Sequence, residues 1–226
     1  MKPMKMLTFT RFSTLATAAM LMAAAAGAQT AVQPPQEIRS DAAAMARARS
    51  DSARYPYTAA DVEFMTGMIT HHAQAIVMSH MAPTHGANRS VSILAERIIN
   101  AQEDEIATTQ QWLSDRGKLE PDEHNMGMKM NMAGAAHGML MPGMLTDSQM
   151  KQLDKAKGKD FDKLFLTSMI QHHLGAVAMV SDLFETYGAA QDQTVFKFAN
   201  DVNVDQTTEI ARMKLMLAAY STPPQK

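Results

Sequence analysis

The chain has 226 residues and a formal net charge of −2, and it contains 22 methionines, eight histidines and no cysteine. This weakly acidic balance offers no basic surface for nucleic acid or for an anionic membrane. The absence of cysteine excludes disulfides and thiolate metal sites, so any soft metal ligand in this protein has to be a methionine thioether.

Residues 1–28 have the pattern of a secretory signal peptide. Three basic residues precede the apolar stretch "FSTLATAAMLMAAAA", and Ala26-Gly27-Ala28 forms a small-residue cleavage site. The alternative is a retained membrane anchor, but the apolar run is short for a span and no second charged flank follows closely. We therefore expect cleavage, export to the periplasm or the exterior, and no membrane association of the mature chain.

Helix-period spacing of apolar residues dominates the rest of the chain and predicts an all-α fold. An N-terminal tail (29–57) has one possible short helix, Asp41 to Arg49. Thr58, with Asp61 three residues on, resembles a capping box that opens a first main helix running to about residue 81. A second helix, from about residue 88 to residue 116, completes a first helical hairpin (58–117).

A Met/His-rich linker (118–145) without helical periodicity separates this hairpin from a second one (146–221). In the second hairpin, Thr146 with Gln149 has capping-box spacing and opens a short helix that ends near Gly158. Two long helices then follow, at about residues 161–187 and 194–220.

The two hairpins are copies of one another. The stretch "DVEFMTGMITHHAQAIVM" (61–78) matches "DKLFLTSMIQHHLGAVAM" (162–179) at one constant offset, and "QEDEI" (102–106) aligns more weakly with "QTTEI" (206–210). Such regular matching indicates an internal repeat whose unit is a helical hairpin. Two antiparallel hairpins that pack their apolar faces make a ferritin-like four-helix bundle.

Each repeat places two adjacent histidines on an apolar helix. Neighbouring helical residues point about 100° apart, so both imidazoles flank one face, and Met68 stands one turn before His72. One interpretation is that these are core histidines, hydrogen-bonded to partners on the second helices. Two matched pairs with flanking methionines favour metal binding, with these partners orienting the ligands. The expected partners are Gln102, Glu105, Gln206 and Glu209.

The ligand types indicate copper. Imidazole suits several first-row ions, but the thioether is soft and selects copper, Cu(I) in particular, with Cu(II) possible. A ferritin-type di-iron centre needs Glu-x-x-His pairs on two helices, and the chain contains none.

The linker contains a second candidate site. Its methionines alternate with Gly and Asn, a spacing that does not fit a core helix but allows several sulfurs to surround one Cu(I) ion; the alternative is an adaptable hydrophobic contact. The candidate ligands here are His124, Met126, Met128, Met130, Met132, His137, Met139, Met141 and Met144.

A smaller cluster, "MSHMAPTH", ends the first histidine helix. His80, Met81 and His85 in this cluster form either an additional copper site or a polar helix terminus, and the residues leave both interpretations open.

The doubled Met-Ile-x-His-His-x-x-Ala pattern, each copy followed by Gln-x-x-Glu-Ile, resembles the domain-of-unknown-function 305 family. The resemblance covers about residues 58–113 and 146–217. It implies a ferritin-like bundle and copper binding through His and Met without known catalysis, as in the CopM-type periplasmic members. The residues that it implies as ligands are Met68, His71, His72, Met78, Met169, His172, His173 and Met179.

We therefore expect an exported protein that sequesters or transfers copper and contributes to copper homeostasis or resistance, with other periplasmic copper-handling proteins as conceivable partners. The alternatives are a metal-dependent bundle enzyme and a structural or interaction module with core histidines. No nucleophile constellation, phosphate loop or paired-carboxylate motif favours an enzyme.

Overall fold

The computed structural model describes residues 42–54, 56–118 and 140–221. This part of the chain contains six α-helices and one 3-10 turn (Ala82–Thr84) but no β-strand. The helices are α1 (Ala42–Arg54), α2 (Ala59–His80), α3 (Arg89–Asp115), α4 (Asp147–Lys155), α5 (Gly158–Glu185) and α6 (Gln193–Ser221).

The helix ends follow the local signals of the sequence. Thr58 and Asp61 form the predicted capping box of α2, and Thr146 forms one with Gln149 at the start of α4. One boundary differs from the expectation, because Gly158 opens α5 instead of ending α4. The N–H of Gly158 donates a 2.8 Å hydrogen bond to the carbonyl of His85, which fixes the start of α5 against the loop after α2.

The bundle is built from two hairpins, α2 with α3 and α5 with α6, which confirms the predicted all-α fold. Two apolar clusters lie along it. The first apolar cluster includes Met78, Ile98 and Phe165, and the second includes Phe64 and Val202. Helix α2 runs from the second cluster to the first, and α5 runs the opposite way.

Residues of each hairpin donate hydrogen bonds to the N-terminal part of the first long helix of the other hairpin, which is α2 or α5. Asp61, at the start of α2, accepts a 2.7 Å hydrogen bond from the N–H of Ala190 in the loop between α5 and α6. Asp162, its repeat counterpart in α5, accepts from the N–H of Asn88 in the loop between α2 and α3 (3.1 Å) and from the Tyr220 hydroxyl (2.6 Å). Both carboxylates are buried, so the repeats interlock through charged hydrogen bonds.

Helix α5 is the one described helix whose length and composition would suffice to cross a membrane, but half of its most apolar stretch is buried inside the bundle. Its apolar side belongs to both clusters. The hydropathy of α5 is that of a central core helix.

We predict that Asp162→Ala lowers the free energy of unfolding by about 2 to 3 kcal/mol, because it removes a buried, charged acceptor that binds the N–H of Asn88 and the half-buried Tyr220 hydroxyl. Asp160→Ala is the matched control: this exposed carboxylate lies in the first turn of α5, two residues before Asp162, and we expect a loss of at most about 1 kcal/mol, from its interaction with the helix dipole. Urea unfolding monitored by far-UV circular dichroism measures both. Equal losses in the two variants would contradict the interlocking role.

Candidate metal centre

A layer of polar side chains crosses the bundle between the two apolar clusters. In each of the four long helices, two polar residues lie between the residues that pack in the first apolar cluster and the residues that pack in the second. We call these residues the histidine layer. They are His71 and His72 (α2), Gln102 and Glu105 (α3), His172 and His173 (α5), and Gln206 and Glu209 (α6).

The two histidine pairs meet at the centre of this layer. The rings of His71 and His172 lie 3.9 Å apart between centroids and are tilted by 39°. All four imidazoles are fully buried. The repeat therefore brings one histidine of each pair into direct contact across the interface between α2 and α5.

The outer histidine of each pair faces a glutamate of its own hairpin. Nε2 of His173 donates a 2.7 Å hydrogen bond to Glu209 Oε2, and Nε2 of His72 lies 2.7 Å from Glu105 Oε2, although the second contact lacks hydrogen-bond geometry. A carboxylate beside one ring nitrogen keeps the proton there and leaves the other nitrogen as a free acceptor. Glu105 and Glu209 thus occupy the position, beside a ring nitrogen, of residues that orient metal-binding histidines.

The two inner histidines differ from one another in their hydrogen bonds. Nε2 of His71 donates a 3.0 Å hydrogen bond to the carbonyl of Pro142, whereas both ring nitrogens of His172 are buried without a hydrogen-bond partner. The Nδ1 atoms of His71, His72 and His173 also lack partners. Buried polar atoms without partners are costly, at about 1 to 3 kcal/mol each, so these nitrogens need an explanation.

Burial keeps the inner imidazoles neutral. Desolvation is the largest effect, and it lowers the pKa of His71 from 6.5 to about 3, against the opposing effect of the hydrogen bond that His71 donates to the Pro142 carbonyl. Desolvation also lowers the pKa of His172 well below 6.5, with further repulsion from the charge that His71 and His173 would carry. Neutral imidazole is the form that binds a metal ion.

The glutamines of the layer are buried too. Gln102 Oε1 and both polar atoms of the Gln206 side chain have no hydrogen-bond partner. They lie one helical turn before Glu105 and Glu209, respectively, as the repeat predicts. The layer therefore contains buried polar atoms to which its own side chains make no hydrogen bond.

The end of the linker lies over the seam between α2 and α5, and we call residues 140–145 the strap. Pro142 and Gly143 occupy the centre of a turn closed by a 3.1 Å hydrogen bond from the N–H of Met144 to the carbonyl of Met141. Gly143 has φ +78°, as this turn requires. A Cβ on Gly175 would lie 1.9 Å from the Pro142 carbonyl oxygen, so α5 admits the strap only because residue 175 is glycine.

Side chains of α2 and α5 hold the strap. Gln74 donates to the carbonyl of Leu145 (2.9 Å) and accepts from its N–H (2.7 Å), and Gln171 donates to the carbonyl of Gly143 (3.2 Å). Gln74, Gly143 and Gly175 are not among the site residues that the sequence predicts. The Pro-Gly turn was the one local signal that pointed to this contact.

The predicted methionine ligands occupy different depths. Met68 and Met169 are buried beside the histidine layer, and Met78 is buried in the first apolar cluster. Met179 and Met141 are half-buried, and a Cβ built on Gly67 would lie 3.3 Å from the methyl carbon of Met179 and 3.3 Å from the sulfur of Met141.

The cluster at the end of α2 lies apart from the histidine layer. His80 is exposed, and Met81 packs against the first apolar cluster. Both ring nitrogens of His85 are engaged, Nδ1 with the Thr84 hydroxyl (2.9 Å) and Nε2 with the carbonyl of Asp154 (2.8 Å). These contacts give His85 a structural role, while its part in a metal site stays a prediction.

The remaining candidates of the linker lie outside the described residues. They are His124, Met126, Met128, Met130, Met132, His137 and Met139. Within the described part of the chain, no three His, Asp or Glu side chains form a group that could hold a metal ion by themselves. A metal at the histidine layer would therefore need a thioether or a rotated ring in addition.

The fold and the histidine layer together define a ferritin-like four-helix bundle with a candidate metal site in its core. The chain belongs to the family described as Domain of unknown function (DUF305), whose model matches residues 61–217. A crystal structure of a DUF305 protein from Streptomyces coelicolor, described as secreted, is 28% identical, with a TM-score of 0.58, and covers 74% of this chain and 97% of its own.

The protein CopM is also similar. Its Cu(II)-bound form is 28% identical with a TM-score of 0.54, covering 71% of this chain and 97% of that chain. Its Cu(I)-bound form is 27% identical with a TM-score of 0.53, covering 72% and 98%. A comparison with curated proteins found no match.

We predict that the metal-free protein loses stability as the pH falls below about 6.5. In the unfolded chain His71 and His172 take up protons near that pH, whereas their lowered pKa keeps them neutral in the folded protein. Stability is therefore complete above pH 6.5 and declines by up to about 1.4 kcal/mol per pH unit for each histidine, for His71 down to about pH 3. Urea unfolding between pH 7.5 and 5 measures the slope.

The control for this prediction is the exposed His80. His80→Asn should keep the slope of the wild type, and the double variant His71→Asn/His172→Asn should flatten it. The same slope in the double variant as in the wild type would show that other groups cause the acid sensitivity.

Proposed function

We propose that this protein is exported and binds copper outside the cytoplasm, where it sequesters or transfers Cu(I) or Cu(II), and thereby contributes to copper homeostasis or resistance. Copper is the cargo in this proposal. His71, His72, His172 and His173 are the central ligand candidates, with Met68 and Met169 beside them.

The observation that carries the proposal is the state of the imidazole nitrogens. Three of the four histidines have Nε2 beside a carboxylate or carbonyl oxygen and Nδ1 free, and the fourth, His172, has two free nitrogens. Metal-binding histidines characteristically donate their second ring nitrogen to such an oxygen. A bound ion would satisfy nitrogens that otherwise stay buried without partners.

The thioethers support copper over other ions that imidazole binds. Met68 and Met169 are fully buried one turn from the histidine pairs, and the chain has no cysteine to supply a soft thiolate. Soft thioether ligands favour Cu(I) over Zn(II) or hard cations. The crystal structures of CopM with Cu(I) and Cu(II) support the same assignment through the family.

Burial supports binding over catalysis. All four imidazoles have no exposed surface, which suits the retention of an ion and gives an organic substrate no surface on which to react. Glu105 and Glu209 already hold the histidines by contact with Nε2. In this proposal they set the tautomer and orientation of the ligands and do not act as general bases.

Titration with Cu(I) in competition with a chromogenic chelator tests the proposal. The chain without residues 1–28 should withdraw copper from the chelator in a fixed stoichiometry. The variant with His71, His72, His172 and His173 changed to Ala should lose at least one equivalent, because the buried imidazoles are gone. His80→Ala, at an exposed position, is the matched control and should leave the central equivalent in place.

The other outcomes separate the alternatives. A wild-type protein that withdraws no copper would leave the histidines as core residues of a structural module. If the four-histidine variant binds copper as well as the wild type, and circular dichroism confirms its fold, the copper site would be assigned to methionines elsewhere in the chain. Copper-dependent turnover of an oxidisable substrate, lost in the same variant, would favour an enzyme.

Export has its own test. If residues 1–28 are a signal peptide, the protein recovered from the periplasm or the medium should begin at Gln29, and intact-mass measurement should find this mature chain. Lys2→Glu with Lys5→Glu should leave more precursor in the cytoplasm, because the basic start is removed. A mature protein that retains its first 28 residues would contradict cleavage.

A further inference from the structure

We infer that the strap and helix α5 form a separate soft-cation site at the rim of the histidine layer, with the thioethers of Met141 and Met179 as ligands above Gly67. The inference rests on the proposed copper-binding function and deepens it, because it identifies an outer site for the same class of ion, a soft monovalent cation such as Cu(I) or Ag(I).

The first support is the convergence of two thioethers on one point. A Cβ built on Gly67 would lie 3.3 Å from the sulfur of Met141 and 3.3 Å from the methyl carbon of Met179. The two atoms are therefore no more than twice that distance apart. Residue 141 comes from the strap and residue 179 from α5, so two distant parts of the chain bring sulfur-containing side chains to one place.

The second support is the glycine itself. A glycine inside a helix costs about 1 kcal/mol relative to alanine, and α2 is helical on both sides of Gly67. The repeat counterpart is Ser168, so the other hairpin accepts a side chain at this position. Gly67 leaves open the space in which the two methionine ends meet.

The third support is that the strap is held in place. Three side chains hold it by hydrogen bonds, His71 at Pro142, Gln171 at Gly143 and Gln74 at Leu145. These contacts lie directly after Met141 in the chain and fix its backbone. Preorganised ligands bind an ion more tightly than ligands on a free loop, because less conformational freedom is lost.

The fourth support is the difference in depth. Met141 and Met179 are half-buried, whereas the imidazoles of the histidine layer are fully buried. On α2, His71 lies one turn after Gly67 and contacts the residue that follows Met141. The rim site thus lies between solvent and the inner imidazoles, where an incoming cation exchanges water for sulfur before it meets nitrogen.

The test is Ag(I) titration of the chain without residues 1–28, labelled with ¹³C at the methionine methyl groups and observed by NMR. Ag(I) is a redox-stable probe for soft ligands. The signals of Met141 and Met179, assigned from Met141→Leu and Met179→Leu, should shift together with the same Ag(I) dependence. Leucine conserves the side-chain volume, so the fold should survive.

The affinity measurement completes the test. Either leucine variant should weaken Ag(I) binding at this site by about 10-fold or more, and the double variant should lose one equivalent. Met216→Leu is the control, because this half-buried methionine of α6 packs against the first apolar cluster and is not one of the two methionines beside Gly67. It should change neither the stoichiometry nor the coupled shifts.

The inference is overturned if Ag(I) binds elsewhere while the Met141 and Met179 signals stay in place, or if they shift independently, or if the double variant keeps the wild-type stoichiometry. In those cases copper binding by the histidine layer, measured with the four-histidine variant, still decides the proposed function by itself. If the wild type binds neither Ag(I) nor Cu(I), both proposals fall.

Discussion

The burial of four imidazoles at the middle of the bundle is the constraint on which the rest of the structure depends. Each ring needs a partner for its N–H, and the structure supplies Glu105 and Glu209 to the outer histidines and the Pro142 carbonyl to His71. The nitrogens left without partners cost about 1 to 3 kcal/mol each, a large fraction of the roughly 5 to 15 kcal/mol by which a domain is stable. An apolar cluster on each side of the layer offsets that cost, which is why the layer occupies the centre of the bundle and not one of its ends.

The duplication provides partners for the outer histidines. Differences between the two repeats accommodate the strap, whose Pro142 carbonyl is the partner of His71. Matched hairpins give each outer histidine its own glutamate and bring the inner pair together across α2 and α5. The repeats differ where the strap lies: Gln74 corresponds to Gly175, so at this position α2 provides two hydrogen bonds to the strap and α5 provides the space beneath it. The strap, which is the described end of the linker, lies at the seam between α2 and α5. A strictly symmetric pair would either have clashed with the strap or lacked the two hydrogen bonds that Gln74 makes with Leu145.

The sequence predicts the helices well because their signals are local. The capping residues Thr58 and Thr146 and the apolar period need no knowledge of distant residues, and the repeat itself implies a bundle. The site is only partly predictable. The histidine pairs and their glutamates follow from the repeat, but the stacking of His71 on His172 depends on how the hairpins pack. The hydrogen bonds of His85 and the contact of Met141 with α2 are long-range as well, so composition could indicate sulfur in the linker but not which sulfur lies beside the bundle.

Full burial also determines how an ion could reach or leave the histidine layer. The imidazoles have no exposed surface, so exchange requires local opening of the bundle. Packing is more extensive within each hairpin than between α2 and α5, so the seam between the hairpins is the place that opens most easily. Opening there separates His71 from His172 and parts the strap from one of the two helices, because His71 of α2 and Gln171 of α5 both donate hydrogen bonds to it. The strap therefore couples access to the layer with the position of Met141. An ion that leaves the imidazoles would pass a thioether before it reaches water, and this order suits transfer between protein sites better than release into solution.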